Sequence, residues 1–292
     1  MNARLGRRRR AWYWAALAFL AAAAVLGVWA LWLEPASLTV VEPRLRLPGA
    51  MRGPLRVALL TDLHVGSPFN GLDRLHEVVT RTNAARPDAV CILGDLVTER
   101  VLGGHFVEPE AIAAELASLR TPGGTFAVLG NHDGWFDHGR VKAALEQRGV
   151  RIVEETAVRV ATAAGPIWIA GISDLWTGRP DVAAALAAVT DDAPVILLTH
   201  NPDVFPDVPP RVALTVAGHT HGGQVRLPFI GTPIVPSRFG ARYVSGHVVE
   251  GGRHLYVATG IGTSLVPVRF RVPPAIAVLT LSSGSLSSKE AE

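Results

Sequence analysis

The sequence predicts an α/β protein carried on one N-terminal membrane-spanning helix. Three observations carry that expectation. Residues 11–33, "AWYWAALAFLAAAAVLGVWALWL", are 23 in a row without a charge. Beyond them, short apolar runs alternate with segments rich in Ala, Leu and Arg, the pattern of βαβ units. Several of the runs end in Asp, Asn, His and Gly, where an open α/β sheet places its ligands. The chain has 292 residues, 49% hydrophobic and 18% charged, which suits one large domain or two small ones with ample core.

The uncharged run comes first. As a helix it extends about 34 Å, enough to cross a hydrocarbon layer of about 30 Å. Trp12, Tyr13 and Trp14 stand at one end, Trp29 and Trp32 at the other, as interfacial aromatics should. Arg4, Arg7, Arg8, Arg9 and Arg10 precede it, and Glu34 and Pro35 follow. The positive-inside rule keeps residues 1–10 in the cytoplasm and puts everything after Glu34 outside it. A cleaved signal peptide is the competing reading. Against it stand the length of the run and the absence of an A-x-A site at Trp32, Leu33 and Glu34. The run Arg7–Arg10 is also a loose match to a twin-arginine export signal.

After the anchor, "LTVVEPRLRL" reads as extended chain. It leads to strand-like runs in "LRVALLTDLH", "DAVCILGD", "GTFAVLGNH", "GPIWIAGISD", "APVILLTH", "VALTVAGH", "RHLYVATG" and "AIAVLTL". Helices are expected over 72–86, 109–120, 138–148 and 179–189. The folded domain is expected over 34–281, and the polar residues 282–292 read as a disordered tail.

The basic pI of about 9.5 comes from the anchor's flank. Removing the five N-terminal arginines from the 28 basic residues leaves 23 against 25 acidic ones. A nuclease needs a basic stripe to displace counterions from phosphates, so nucleic acid is not an expected partner. Cys91 is the single cysteine, which excludes disulfides and thiolate-rich zinc sites. It lies in an apolar run and reads as a core thiol. Any metal would use nitrogen and oxygen ligands.

Each polar cluster has an ordinary reading. Asp62 and His64 make a common D-x-H, two apart and so on one face of a strand. Gly94-Asp95 could be a turn, Gly130-Asn131-His132-Asp133 a loop, His200 a hydrogen-bonded strand end, and Gly218-His219-Thr220-His221 a turn. Their order at five strand ends is far less ordinary than its parts. His76, His105, His138, His247 and His254 fall outside the pattern.

With those five motifs the chain resembles the calcineurin-like metallophosphoesterases over about residues 38–281. "HNPDVF", "GHTHGGQ" and "GIGTSLVPVRF" look like a membrane-associated bacterial branch with small phosphodiesterases and lipid-A-pathway pyrophosphatases. The resemblance implies a four-layer α/β/β/α sandwich and two divalent cations, Mn²⁺, Fe²⁺ or Zn²⁺. Asp62, His64 and His221 would hold one ion, Asn131, His200 and His219 the other, and Asp95 would bridge both. A hydroxide between ions about 3.5–4 Å apart would attack phosphorus. His132 would contact substrate and protonate the leaving group, with Asp133 orienting it or merely capping a turn.

The expected activity is hydrolysis of a phosphodiester or pyrophosphate bond. "RLPFIGTPIVPSRFG" after the last ligand, with Trp135 and Phe136, reads either as an apolar rim for a lipid-linked substrate or as packed loops. The arginine cluster puts the domain outside the bacterial inner membrane, whereas nucleotide-linked diacylglucosamine is made inside, so no lipid-A step is assigned. A non-catalytic, metal-stabilised membrane scaffold is the alternative. It predicts loss of a ligand or of His132, and both are retained.

Overall fold

In the computed structural model, which describes residues 2–48 and 51–284, the apolar runs become two sheets packed face to face. The first holds β1 (Thr39–Val41), β2 (Arg44–Leu47), β3 (Leu55–Leu60), β4 (Ala89–Ile92), β5 (Thr125–Ala127), β6 (Arg151–Ile152) and β13 (Ala275–Ser283). Its order is β1-β13-β3-β4-β5-β6, with β2 also on β13. The second holds β7 (Thr156–Thr162), β8 (Gly165–Gly171), β9 (Val195–Leu198), β10 (Leu214–Ala217), β11 (Gly246–Glu250) and β12 (Arg253–Val257). Its order is β11-β12-β10-β9-β8-β7.

The central strands β3, β4 and β5 are parallel, as are β8, β9, β10 and β12. Covered on both faces, most of them read as largely apolar runs rather than alternating ones. β4 and β9 are buried at every position, and in β3 only Arg56 is partly exposed.

Three cores stack through the molecule. Leu59, Cys91, Phe126, Ile196, Leu198 and Val216 fill the space between the sheets. Each large apolar side chain among them contributes about 1.5–3 kcal/mol on leaving water. Outside the first sheet lie α2 (Leu72–Ala84), α3 (Pro109–Leu116) and α4 (Asn131–Glu146). α2 buries Leu75, Val78, Val79 and Thr82, one stripe of a 3.6-residue period, with Asp73 in its first turn and Arg81 in its last. Outside the second sheet lie α5 (Val182–Leu186) and 3₁₀ turns at Pro202–Asp207 and Gly240–Tyr243, which pack Ala185, Phe205 and Tyr243 over Leu197 and Leu255. The four layers are those expected, although the last is thin.

Several boundaries differ from the sequence reading. α4 opens with a short helical piece at Asn131, capped by Gly130 and Asp133, and breaks at extended Asp137; the helix expected over 138–148 follows that break, with Asp137 accepting from the Arg140 amide, and ends at Glu146. The helix expected over 179–189 is only Val182–Leu186. β13 runs to Ser283, two residues into the expected tail, because Ser282 and Ser283 pair with Arg46 and Leu47. Residues 285–292 of that tail lie outside the described residues, as do the side chains of Arg4, Arg7, Arg8 and Arg9.

The uncharged run forms α1 (Asn2–Val28), continued by a π-helical turn at Trp29–Leu33. Residues 10–33 are long and apolar enough to cross a bilayer, and Trp12, Phe19 and Val25 are exposed. Its end docks on the domain. The Arg269 amide donates to the Ala30 carbonyl at 2.9 Å, and the Trp32 ring meets Phe69 at 5.7 Å.

Candidate metal centre

The parallel strands of both sheets end on one side of the sandwich, and the five motifs follow those ends. Asp62 and His64 follow β3, Asp95 follows β4, Asn131 to Asp133 open α4 after β5, His200 follows β9, and His219 and His221 follow β10. All but His132, at 9% exposure, are nearly inaccessible. Strand alternation is not what brings Asp62 and His64 together, because β3 stops at Leu60. Left-handed backbone turns them instead: φ is 50° at Asp62, 37° at His64, 54° at Asp95, 67° at His219 and 51° at His221. Such a conformation costs a non-glycine residue about 1–2 kcal/mol, and strain of this kind gathers at functional sites.

The donor atoms form two groups that share Asp95. Asp62, His64, Asp95 and His221 make one, and Asp95, His200 and His219 the other, with ligand atoms in each group within 4.8 Å of one another. Asp95 Oδ2 lies 3.5 Å from His64 Nε2 and 3.2 Å from His200 Nε2, between the two groups. His64 Nε2 faces His221 Nε2 at 3.2 Å, and His219 Nδ1 faces His200 Nε2 at 3.2 Å. Asn131 Oδ1 joins the second group, 3.1 Å from His200 Nε2. The structure thus brings all seven expected ligands together.

Neighbouring backbone orients these rings. His64 Nδ1 meets the Val97 carbonyl at 3.1 Å and His200 Nδ1 the Leu93 carbonyl at 2.6 Å. A neutral ring that donates from Nδ1, as His64 can, presents its Nε2 lone pair to the centre, and His200 would do the same on losing its Nε2 proton as a cation binds. Asp95 Oδ1 accepts from the His132 amide at 2.8 Å, and both Asp62 oxygens accept from the His219 amide at 3.1 Å. Gly218 permits that approach, since a Cβ there would lie 1.9 Å from Thr61 Oγ1 and 2.6 Å from Asp62 Oδ2.

Burial lowers His64 to about 4 and His219 to about 3, and carries His221 well below its usual value. Three imidazoles are therefore neutral at pH 7. Burial also opposes charge on His200, yet the carboxylates of Asp95 and Asp62 hold it up at about 10. Burial raises Asp62 to about 7, whereas the charge and hydrogen bond of His200 hold Asp95 well below the carboxylate range despite burial. Ring nitrogens that face one another at 3.2 Å beside two carboxylates suit shared cations. Imidazole, carboxylate and amide donors fit Mn²⁺, Fe²⁺ or Zn²⁺.

A cleft of about 680 Å³ opens over this cluster, lined by Asp95, Asn131, His132, His219 and His221 at its base. His132 packs edge-on against His64, 4.7 Å between ring centroids, and against Trp135 at 5.0 Å. Asp133 does not orient it. Its Oδ1 accepts from the Leu96 and Val97 amides at 2.9 and 3.2 Å, and its Oδ2 from the Gly130 amide at 3.0 Å. It caps α4 and braces the segment after Asp95, the turn-capping alternative.

The sequence reading missed Arg100, Trp176 and Gln224, which also line the cleft. Trp176 stands edge-on to His219 at 4.4 Å, and its amide donates to Asp174 Oδ2 at 2.8 Å. It follows β8, and "GISDLW" carries the same signal of a polar cluster at a strand end. His105 and His138 stay outside the cleft lining, and His138 pairs with Glu154 at 2.8 Å. Cys91 is a core residue whose thiol burial pushes up to about 12.

Residues 55–223, from β3 through the last expected ligand, match the family model for calcineurin-like phosphoesterases. The chain is 32% identical to the metallophosphoesterase YkuE of Bacillus subtilis over 263 residues, 87% of this chain and 89% of the relative. It is 31% identical to phosphodiesterase YaeI of Escherichia coli, over 85% of this chain and 90% of the relative. A transmembrane protein with metallophosphoesterase domain from Danio rerio is 30% identical, over 87% of this chain and 59% of the relative. The chain therefore belongs to the calcineurin-like phosphoesterase family, whose members are metal-dependent hydrolases of phosphoric esters.

Proposed function

We propose that the protein is a membrane-anchored phosphodiesterase with a two-ion centre, acting on a phosphodiester or pyrophosphate that carries an apolar group. The observation that carries this reading is the pair of ligand groups sharing Asp95 beneath one cleft. Asp62, His64, His221 and Asp95 would hold one divalent ion, and Asn131, His200, His219 and Asp95 the other. When bound, such ions supply Lewis acidity toward phosphoryl oxygens and make water a better nucleophile at neutral pH.

The chain's own residues supply the rest. Asp95 places a negative charge between the two ligand groups. His132, on the first turn of α4 and beside the cleft base, is placed to hold a proton for the leaving oxygen. Trp135, Trp176 and the Ile234–Pro236 stretch give the cleft apolar walls, which favour a substrate with an apolar portion. The anchor reading rests on the exposed helix of residues 10–33, and the arginine cluster before it supports, by the positive-inside rule, a domain outside the cytoplasm.

The test is hydrolysis of bis(p-nitrophenyl) phosphate by the purified full chain in detergent. Turnover with Mn²⁺, silenced by chelator and restored by added metal, supports the reading. No turnover with Mn²⁺, Fe²⁺, Zn²⁺ or Ni²⁺ refutes it. Metal analysis should give two ions per chain, and protease accessibility in spheroplasts should show the domain outside.

A further inference from the structure

Apolar side chains stand exposed on loops that are stitched to the end of α1. Phe229 is fully exposed at the tip of a turn closed by Leu227 and Gly231, and Ile230 beside it is 71% exposed. Leu265 is 67% and Leu102 69% exposed, and the Leu102 amide donates to the Leu265 carbonyl at 2.9 Å. Gln224 Nε2 reaches the carbonyls of Ser264 and Val266 at 3.2 and 3.3 Å, and the Arg226 amide donates to the Phe270 carbonyl at 2.9 Å. Three loops therefore form one connected platform.

That platform is tied to the helix at a level inside the apolar run. The Arg269–Ala30 bond is made three residues before Leu33, ~4.5 Å along a helix from the end of the run. Fully buried Arg269 also donates to the carbonyls of Val272 and Thr259 at 2.9 and 3.1 Å, and Glu34 accepts from the Val272 amide. If residues 11–33 span a bilayer, the loop 265–270 lies at its surface. Exposed Arg226 and Arg271 flank the apolar tips, the pairing of apolar and basic groups that suits an anionic lipid interface.

We propose that Leu102, Phe229, Ile230, Leu265 and Val266 form a second membrane contact, seated in the headgroup region, so that the cleft opens at the lipid surface. This rests on reading α1 as the anchor. Leu265 also lines the cleft, which makes the platform continuous with the candidate site. A substrate with an acyl or isoprenoid chain could then reach the cleft with its chain still in lipid.

Buried Cys91 leaves the surface free for single-site labelling. The full chain is reconstituted in nanodiscs of phosphatidylcholine and phosphatidylglycerol, with bimane placed through Ile230→Cys, Leu265→Cys, Ala22→Cys or Asp192→Cys. Ala22 lies mid-helix, and exposed Asp192 precedes β9 at the opposite end of the sandwich. Shallow doxyl-phosphatidylcholine should quench the labels at 230 and 265 at least about twofold more than the label at 192, as insertion by ~5–10 Å requires. Deep doxyl-lipid should quench the label at 22. Quenching at 22 with 230 and 265 no different from 192 overturns the second contact and leaves the anchor standing. No quenching at 22 overturns the anchor, and this inference with it.

Discussion

Asp133→Asn separates a bracing carboxylate from a catalytic one. Asp133 is fully buried and accepts three backbone amides, from Leu96, Val97 and Gly130. Asparagine can keep the two bonds to Oδ1 but turns an N–H₂ toward the Gly130 N–H, leaving one buried donor unpaired. An unpaired buried donor costs about 1–3 kcal/mol. At ~2–4 °C per kcal/mol for a domain of this size, the midpoint of that cost lowers Tm by ~4–8 °C. Asp133→Ala strands all three amides, about 3–9 kcal/mol, comparable with the whole stability of a folded domain. The assay pairs thermal unfolding with kcat per bound metal on the aryl diester. The expected result for Asp133→Asn is a lowered Tm with kcat little changed. An unchanged Tm with kcat down by ~10²–10⁴ would refute the bracing role and restore Asp133 as a partner of His132.

Asp95→Asn should remove metal and activity together, since its Oδ2 lies between the two ligand groups, while His132→Gln should keep metal and lose ~10²–10⁴ in kcat; metal analysis beside kinetics distinguishes them. Equal metal loss in both variants contradicts the division of roles. Gly218→Ala drives a methyl into Thr61 and Asp62, so metal affinity should fall ~10–100-fold, read by titration against a chelating dye. Trp176→Ala removes a ring from the cleft wall. KM for the aryl diester should rise ~3–10-fold at unchanged metal content, as loss of about 1 kcal/mol of ring contact implies.

What was legible in the sequence follows from burial. Central strands such as β4 and β9, covered on both faces, are unbroken apolar runs, and a polar residue at the end of such a run is conspicuous. The seven ligand positions stand out in that way. β7 and β11 went unseen because they are the edges of the second sheet, partly or fully exposed along most of their length, with neither a continuous run nor a clean alternation. The start of α4 was hidden because Gly130-Asn131-His132-Asp133 looks like a loop, and only the bond from the Gly130 amide to Asp133 makes it a cap. Arg100 and Gln224 reach the cleft from loops, and their convergence with the walls of Trp135, Trp176 and Ile234–Pro236 depends on tertiary contacts no spacing encodes.

The deeper omission is conformational. Asp62, His64, Asp95, His219 and His221 share a left-handed backbone, and nothing in the letters D-x-H or G-H-x-H announces it. Five such residues cost about 5–10 kcal/mol together, as much as many domains have in reserve. The two sheets and the core between them must supply that stability. A cation bound only by the folded state would add to it in proportion to the logarithm of its concentration over its dissociation constant. Five of the seven side chains a metal would hold thus sit on backbone that is strained without it. Removing metal should therefore loosen the strand ends around Asp62 and His219 before it touches β4 or β9, and amide exchange with and without chelator measures that order directly. Uniform loosening of all strands would show that the strain is not concentrated at the centre.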